Sequence, residues 1–125
     1  MKNKLTEQVL QLFVSDSQLV WLYKHAICFV YPSLYEGFGI PILEAFASRC
    51  PLLLSDTSCF PEIAEEGGLY FNPNDVESMV DSMKRIVEDS ELRERLIANG
   101  NLRLKDFSCR KMAEQTAQVY MKAIL

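Results

Sequence analysis

Two short runs with no polar residue inside them constrain this chain most. Ile27-Cys28-Phe29-Val30-Tyr31 is β-branched and aromatic and stops at Pro32, and Pro51-Leu52-Leu53-Leu54 stops at the polar Ser55-Asp56-Thr57-Ser58. A strand with one wetted face alternates apolar and polar residues, whereas an uninterrupted apolar strand is buried on both faces, as in a parallel sheet covered by helices. Between these runs lies a glycine-containing loop, Ser33–Gly39, and then a helical pattern opened by Ile40-Pro41 and carried by Ile42, Leu43, Ala45, Phe46 and Ala47 to about Ser48. Proline suits that first turn, where its missing N–H costs nothing. Strand, loop, helix and strand in this order imply a three-layer α/β architecture.

The flanking segments extend the pattern. Val9–Val14 is a weaker strand candidate, interrupted by Gln11. Ser15-Asp16-Ser17-Gln18 has the form of a capping box, and with Leu19, Leu22 and Tyr23 it predicts a helix over 16–25. Pro61–Glu65 reads as one helical turn and Gly68–Phe71 as a last short strand, so the sheet is expected to hold about four strands. The remainder is helical. Asn74 and Glu77 read as a cap for a helix whose stripe is Val76, Met79, Val80, Met83 and Val87. Ser90 is expected to cap a second helix, carrying Leu92, Leu96 and Ile97 and weakening at Asn99-Gly100. Ser108 is expected to cap a third, with Met112, Thr116, Val119, Tyr120 and Ala123 on one face. The methionines at 79, 83 and 112 are read as core.

Composition removes several classes of function. The 125 residues carry a net charge of −4, neither half of the chain is basic, and no Lys or Arg occurs between Arg49 and Lys84. Nucleic acid binding requires a concentrated positive footprint, and the sequence has none. No apolar run approaches the roughly 20 residues of a membrane span. Cys28, Cys50, Cys59 and Cys109 form no C-x-x-C pair and there is a single histidine, so no zinc site is expected and the thiols are read as reduced. The positive start at Met1–Lys4 is followed by Glu7, Gln8 and Gln11, which interrupt any signal-peptide apolar region; a cytoplasmic location is expected. His25 is read as a structural cation at a helix end.

In an open parallel sheet, ligands bind beyond the carboxyl ends of the strands. Ser33–Gly39, Ser55–Ser58 and Asn72–Asn74 lie there on this reading. Gly37 and Gly39 permit close backbone approach, and the helix start that follows offers unpaired N–H groups to an anion such as a diphosphate. Glu36 in the loop and Glu44 eight positions on are carboxylates, which repel phosphate but accept paired hydrogen bonds from the vicinal diol of a ribose or hexose. Glu44 also has a plain reading as an acid complementing a helix dipole, and Glu36 as a solvated loop acid. Ser55 and Asp56 stand where a donor pocket would be lined, and Glu62 has an equal reading as a first-turn acid.

Pro32-Ser33-Leu34-Tyr35-Glu36-Gly37-Phe38-Gly39-Ile40-Pro41-Ile42-Leu43-Glu44-Ala45 resembles the signature of the family 4, or group 1, glycosyltransferases: a Glu, seven residues and a second Glu, with Gly-Phe-Gly after the first. Phe13–Asp16, Pro51–Ser55, Cys59–Ile63, Gly68–Asn72 and the helices after Asp75 resemble the family's neighbouring segments. The resemblance implies a Rossmann-like half of a GT-B fold, with residues 1–125 forming an N-terminally truncated part of the C-terminal donor domain. It implies sugar transfer with retention of configuration from a nucleotide-diphosphate sugar, with no cofactor and no metal required, in polysaccharide or glycoconjugate synthesis.

By position, Glu36 would sit at the transferred sugar as the catalytic group and Glu44 would bind the donor ribose. The backbone of Gly37, Phe38, Gly39 and Ile40 would hold the sugar or diphosphate. The family's acceptor domain, its first donor-domain strand and helix, and the Arg and Lys that neutralise the diphosphate have no counterpart here, and Cys109 stands where an aromatic residue is common. The isolated chain is therefore expected to be inactive without an acceptor domain or partner chain. It is also expected to self-associate through an exposed sheet edge. The alternative is a non-catalytic Rossmann-like binding or interaction module derived from such an enzyme.

Overall fold

The computed structural model describes residues 8–125; the Met1–Glu7 stretch weighed above for a leader lies outside them. Three parallel strands, β1 (Phe29–Tyr31), β2 (Leu52–Ser55) and β3 (Gly68–Phe71), lie side by side in chain order. Phe29 pairs with Leu52, and Leu52 in turn with Gly68. Around them run α1 (Asp16–His25), α2 (Ile40–Ala47), α3 (Phe60–Ala64), α4 (Val76–Glu88), α5 (Ser90–Leu104) and α6 (Cys109–Ile124).

Strand alternation divides the core in two. Leu52 and Leu54 point to one face, where Tyr23 of α1, Ile42, Ala45 and Phe46 of α2, and Phe60, Ile63 and Ala64 of α3 cover them. Leu53 and Phe71 point to the other, against Ile86 of α4 and Leu92 and Leu96 of α5. This is the expected three-layer α/β arrangement, and the Pro51–Leu54 run is buried on both faces as its composition requires.

Several elements differ from the sequence reading. Val9–Val14 forms no strand among the described residues: it is exposed, Phe13 at 98%, and no neighbouring strand offers it a hydrogen-bond ladder, so the sheet has three strands. β1 is only half-buried, because among the described residues it lies at the sheet edge with one partner. The α4 stripe is a mixture of two faces. Met79 and Ile86 pack on the sheet, and Ser82 between them donates to the Tyr70 carbonyl at 3.5 Å, while Val76, Val80, Met83 and Val87 are exposed. Met112 is exposed as well, on a helix with no buried residue.

Asp75 and Asp89 are the N-caps of α4 and α5, one residue from Asn74 and Ser90 respectively; their carboxylates accept from Ser78 N and Leu92 N. Nor does α5 weaken at Asn99-Gly100. A Cβ on Gly100 would run into the Phe46 ring, so the glycine is what lets α5 lie against α2, and Asn99 Nδ2 donates to the Glu66 carbonyl at 3.0 Å. The capping box at Ser15 and Gln18 and the Ser108 cap form as expected. All four cysteines are free. No helix among the described residues is long and apolar enough to cross a membrane.

Candidate active site

The loop after β1 and the first turn of α2 form the candidate site at the carboxyl end of the sheet. Gly39 is the N-cap of α2 and takes a left-handed backbone, φ 88° and ψ 52°, while Pro41 occupies the first turn and no side chain caps the helix. The left-handed residue turns the chain sharply from loop into helix. Its missing side chain also matters: a Cβ there would lie 3.1 Å from Phe60 Cε1 and 3.2 Å from Ile42 Cδ1. Gly37 is different, with ordinary φ and open space where its Cβ would be. The helix therefore presents an uncapped N-terminus, which the peptide dipoles make electropositive.

The two carboxylates are held in different ways. Glu36 is half-buried; its Oε1 accepts from Ser33 Oγ at 2.9 Å. Its backbone is clamped by Ser58, whose hydroxyl accepts from Glu36 N at 3.1 Å and donates to Glu36 O at 3.0 Å. Thr57 Oγ1 donates to Leu34 O, and the Cys59 thiol to Phe38 O. The segment after β2 thus fastens the loop after β1 through side chains. Burial and the neighbouring Glu36 carboxylate push the Tyr31 phenol up to about 12, so it remains protonated beside that carboxylate.

Glu44 is exposed, on the second turn of α2, and its Oε2 accepts from the buried Tyr23 hydroxyl at 3.3 Å. No acid lies in the first turn of α2, so the dipole reading of Glu44 loses its footing. Phe38 and Ile40 flank the turn and are exposed.

Ser55 is fully buried, and its hydroxyl donates to the Tyr31 carbonyl at 3.4 Å. It braces the end of β1 from beneath, while Asp56 beside it is exposed. Glu62 is the first-turn acid of α3. His25 lies in the last turn of α1, with Nδ1 2.7 Å from Trp21 O and its ring stacked on Trp21, so its contacts are with its own helix end. Sequence reasoning missed Tyr23, Thr57, Ser58 and Cys59 as site supports; only their places, on the apolar stripe of α1 and just past the carboxyl end of β2, point to them. It also missed Arg103. That residue is engaged with the Ile63 and Glu62 carbonyls, Glu65 and Asp106, so it braces α3.

Comparison with known proteins decides the family. The model of glycosyl transferases group 1 matches residues 2–103. The chain belongs to the group 1 glycosyltransferase family. Within it, the chain is 39% identical over 108 residues to the O-antigen chain mannosyltransferase B of Escherichia coli, covering 86% of this chain and 28% of that protein. It is 36% identical over 115 residues to an MMP alpha-(1->4)-mannosyltransferase of Mycolicibacterium hassiacum, covering 89% and 28%. Among solved structures, sucrose-phosphate synthase from Thermosynechococcus elongatus matches with a TM-score of 0.77 at 29% identity, over 89% of this chain and 29% of that one. The α/β layers are thus those of a GT-B glycosyltransferase, and the chain spans under a third of the length of these relatives. The group 1 match ends before α6.

Proposed function

We propose that this chain is the donor-binding part of a retaining glycosyltransferase that takes a hexose, mannose by its relatives' names, from a nucleotide-diphosphate sugar for polysaccharide or glycoconjugate synthesis. The observation that carries this reading is the pairing of an uncapped α2 N-terminus with two anchored carboxylates, Glu36 and Glu44, at the carboxyl end of a parallel sheet. The diphosphate lies against the backbone of Gly37, Phe38, Gly39 and Ile40. The ribose diol bonds Glu44, and the sugar hydroxyls bond Glu36, whose carboxylate stabilises positive charge developing at the sugar.

Neither metal nor cofactor takes part in this scheme. Ser55 contributes by supporting the loop. The reaction takes place in the cytoplasm. It requires an acceptor-binding domain or partner chain, together with cations for the diphosphate; by itself the chain turns over negligibly. A second reading, a non-catalytic binding module, shares the fold but gives the carboxylates no ligand.

The test is ligand-observed NMR of the purified chain with uridine, guanosine and adenosine diphosphates and their sugar conjugates, with Glu44→Ala alongside. Binding that weakens in the variant is expected. Binding that the variant leaves unchanged refutes the donor-site reading, as does the absence of binding when the chain is joined to its acceptor domain.

A further inference from the structure

Glu44 is an exposed glutamate on a helix surface, a position where three side-chain torsions are ordinarily free. Here one oxygen is tied 3.3 Å from the hydroxyl of Tyr23, a residue 21 positions earlier on a different helix. Tyr23 cannot follow the glutamate about. It is 7% exposed, and its ring meets Phe29 edge-on at 5.2 Å. Phe29 lies 5.5 Å from Tyr31, and Tyr31 lies 4.8 Å from Phe60, the ring that packs against Gly39. One aromatic row therefore runs beneath the site, from the tether of Glu44 to the turn that opens α2.

We infer that Tyr23 is a positioning residue for Glu44: its buried phenol holds Oε2, leaving Oε1 and the remaining lone pairs aimed outward for the diol of a nucleoside ribose. This rests on the donor-site reading above for the identity of the diol. A carboxylate accepts about four hydrogen bonds, so one from Tyr23 leaves capacity for two from a ribose. Immobilising a flexible side chain opposes binding, and a tether already present in the free protein removes that opposition. The phenol stays a donor at working pH, since burial, then the Glu44 charge, push it up to about 12.

The opposite dependence would have Glu44 present only to satisfy a buried hydroxyl. Tyr23→Phe separates the two, because it keeps the ring and removes both the tether and the need for it. In the free chain, side-chain 13C relaxation of Glu44 is expected to show increased rotamer averaging in Tyr23→Phe at an unchanged melting temperature. Equal ordering of Glu44 in both proteins overturns the inference whether or not a nucleotide binds.

With uridine, guanosine and adenosine diphosphates and their 2′-deoxy counterparts as probes, Tyr23→Phe is expected to weaken binding about 3- to 10-fold. It is also expected to narrow the preference for ribose over deoxyribose. Glu44→Ala is expected to weaken binding roughly 10- to 100-fold. If Glu44→Ala weakens binding while Tyr23→Phe matches the wild type in both affinity and ribose preference, the positioning role alone fails. If Glu44→Ala leaves affinity intact, the ribose reading fails and the positioning role goes with it.

Discussion

The two glycines of Gly37-Phe38-Gly39 are alike in sequence and unlike in structure, and replacing each by alanine measures the difference. At Gly39 the left-handed φ of 88° costs an L-residue about 1–2 kcal/mol. The new Cβ would also stand 3.1 Å from Phe60 and 3.2 Å from Ile42. Both side chains are fully buried, so making room displaces packed neighbours and overpacking adds about 1 kcal/mol. Gly39→Ala should therefore lose roughly 2–3 kcal/mol, a large part of a domain's typical 5–15 kcal/mol. At Gly37 the φ is ordinary and the space open, so alanine should cost nothing and stabilise by about 0.4–1 kcal/mol by restricting the unfolded chain. Urea unfolding of the two variants beside the wild type provides the assay, with unchanged slopes confirming a common transition. Equal losses at the two positions, or none at Gly39, would refute the argument that Gly39 alone forms the tight turn into α2.

Ser58 has a left-handed φ of 59° and clamps Glu36 by two hydrogen bonds, so Ser58→Gly should keep or raise the melting temperature while hydrogen exchange at the Glu36 amide accelerates; unchanged protection there counts against the clamp. Burial, first, holds the Tyr23 and Tyr70 phenols near 12 in the folded chain against an ordinary value near 10. Since the folded state disfavours the phenolate, this contribution to stability is intact below pH 10 and is lost as pH rises from 10 to 12. Denaturant midpoints should fall across that window, less so in Tyr70→Phe, and a flat profile contradicts the shift. With one edge of β1 unpaired among the described residues and Val76, Val80, Met83 and Val87 exposed on α4, the chain should self-associate at high concentration, and a monomer by light scattering overturns that expectation.

What the sequence displays plainly is whatever depends on neighbours along the chain. Leu52-Leu53-Leu54 announces a doubly covered strand because all three side chains must find apolar surface, and Ser15-Asp16-Ser17-Gln18 announces a helix start because its hydrogen bonds close within four residues. The Glu36 to Glu44 spacing likewise sets one acid in the loop before Gly39 and the other on α2. What it conceals depends on partners far away. Val9–Val14 has strand-like composition but no adjacent strand to pair with. Val80 and Met83 share a periodicity with Met79, yet only the arrangement of α4 on Leu53 and Phe71 decides which of them is covered. Gly100 looks like a helix breaker until Phe46 is seen to occupy the space its side chain would need. The supports of the site are the same kind of information: Tyr23 reaches Glu44 across 21 residues and Ser58 reaches Glu36 across 22, and neither contact leaves a local trace.

The donor site proposed above lies at the loop–helix junction of Gly37–Glu44, where a nucleotide-diphosphate sugar would bind. Amide chemical-shift mapping of the 15N-labelled chain, titrated with GDP-mannose and UDP-glucose, tests it most directly. Saturable shifts are expected at Gly37, Phe38, Gly39, Ile40 and Glu44, spreading to Thr57 and Ser58 through their hydrogen bonds to the loop. Shifts confined to another surface, such as the cleft at the α4–α5 junction lined by Asp81, Lys84, Arg85 and Glu91, would contradict it.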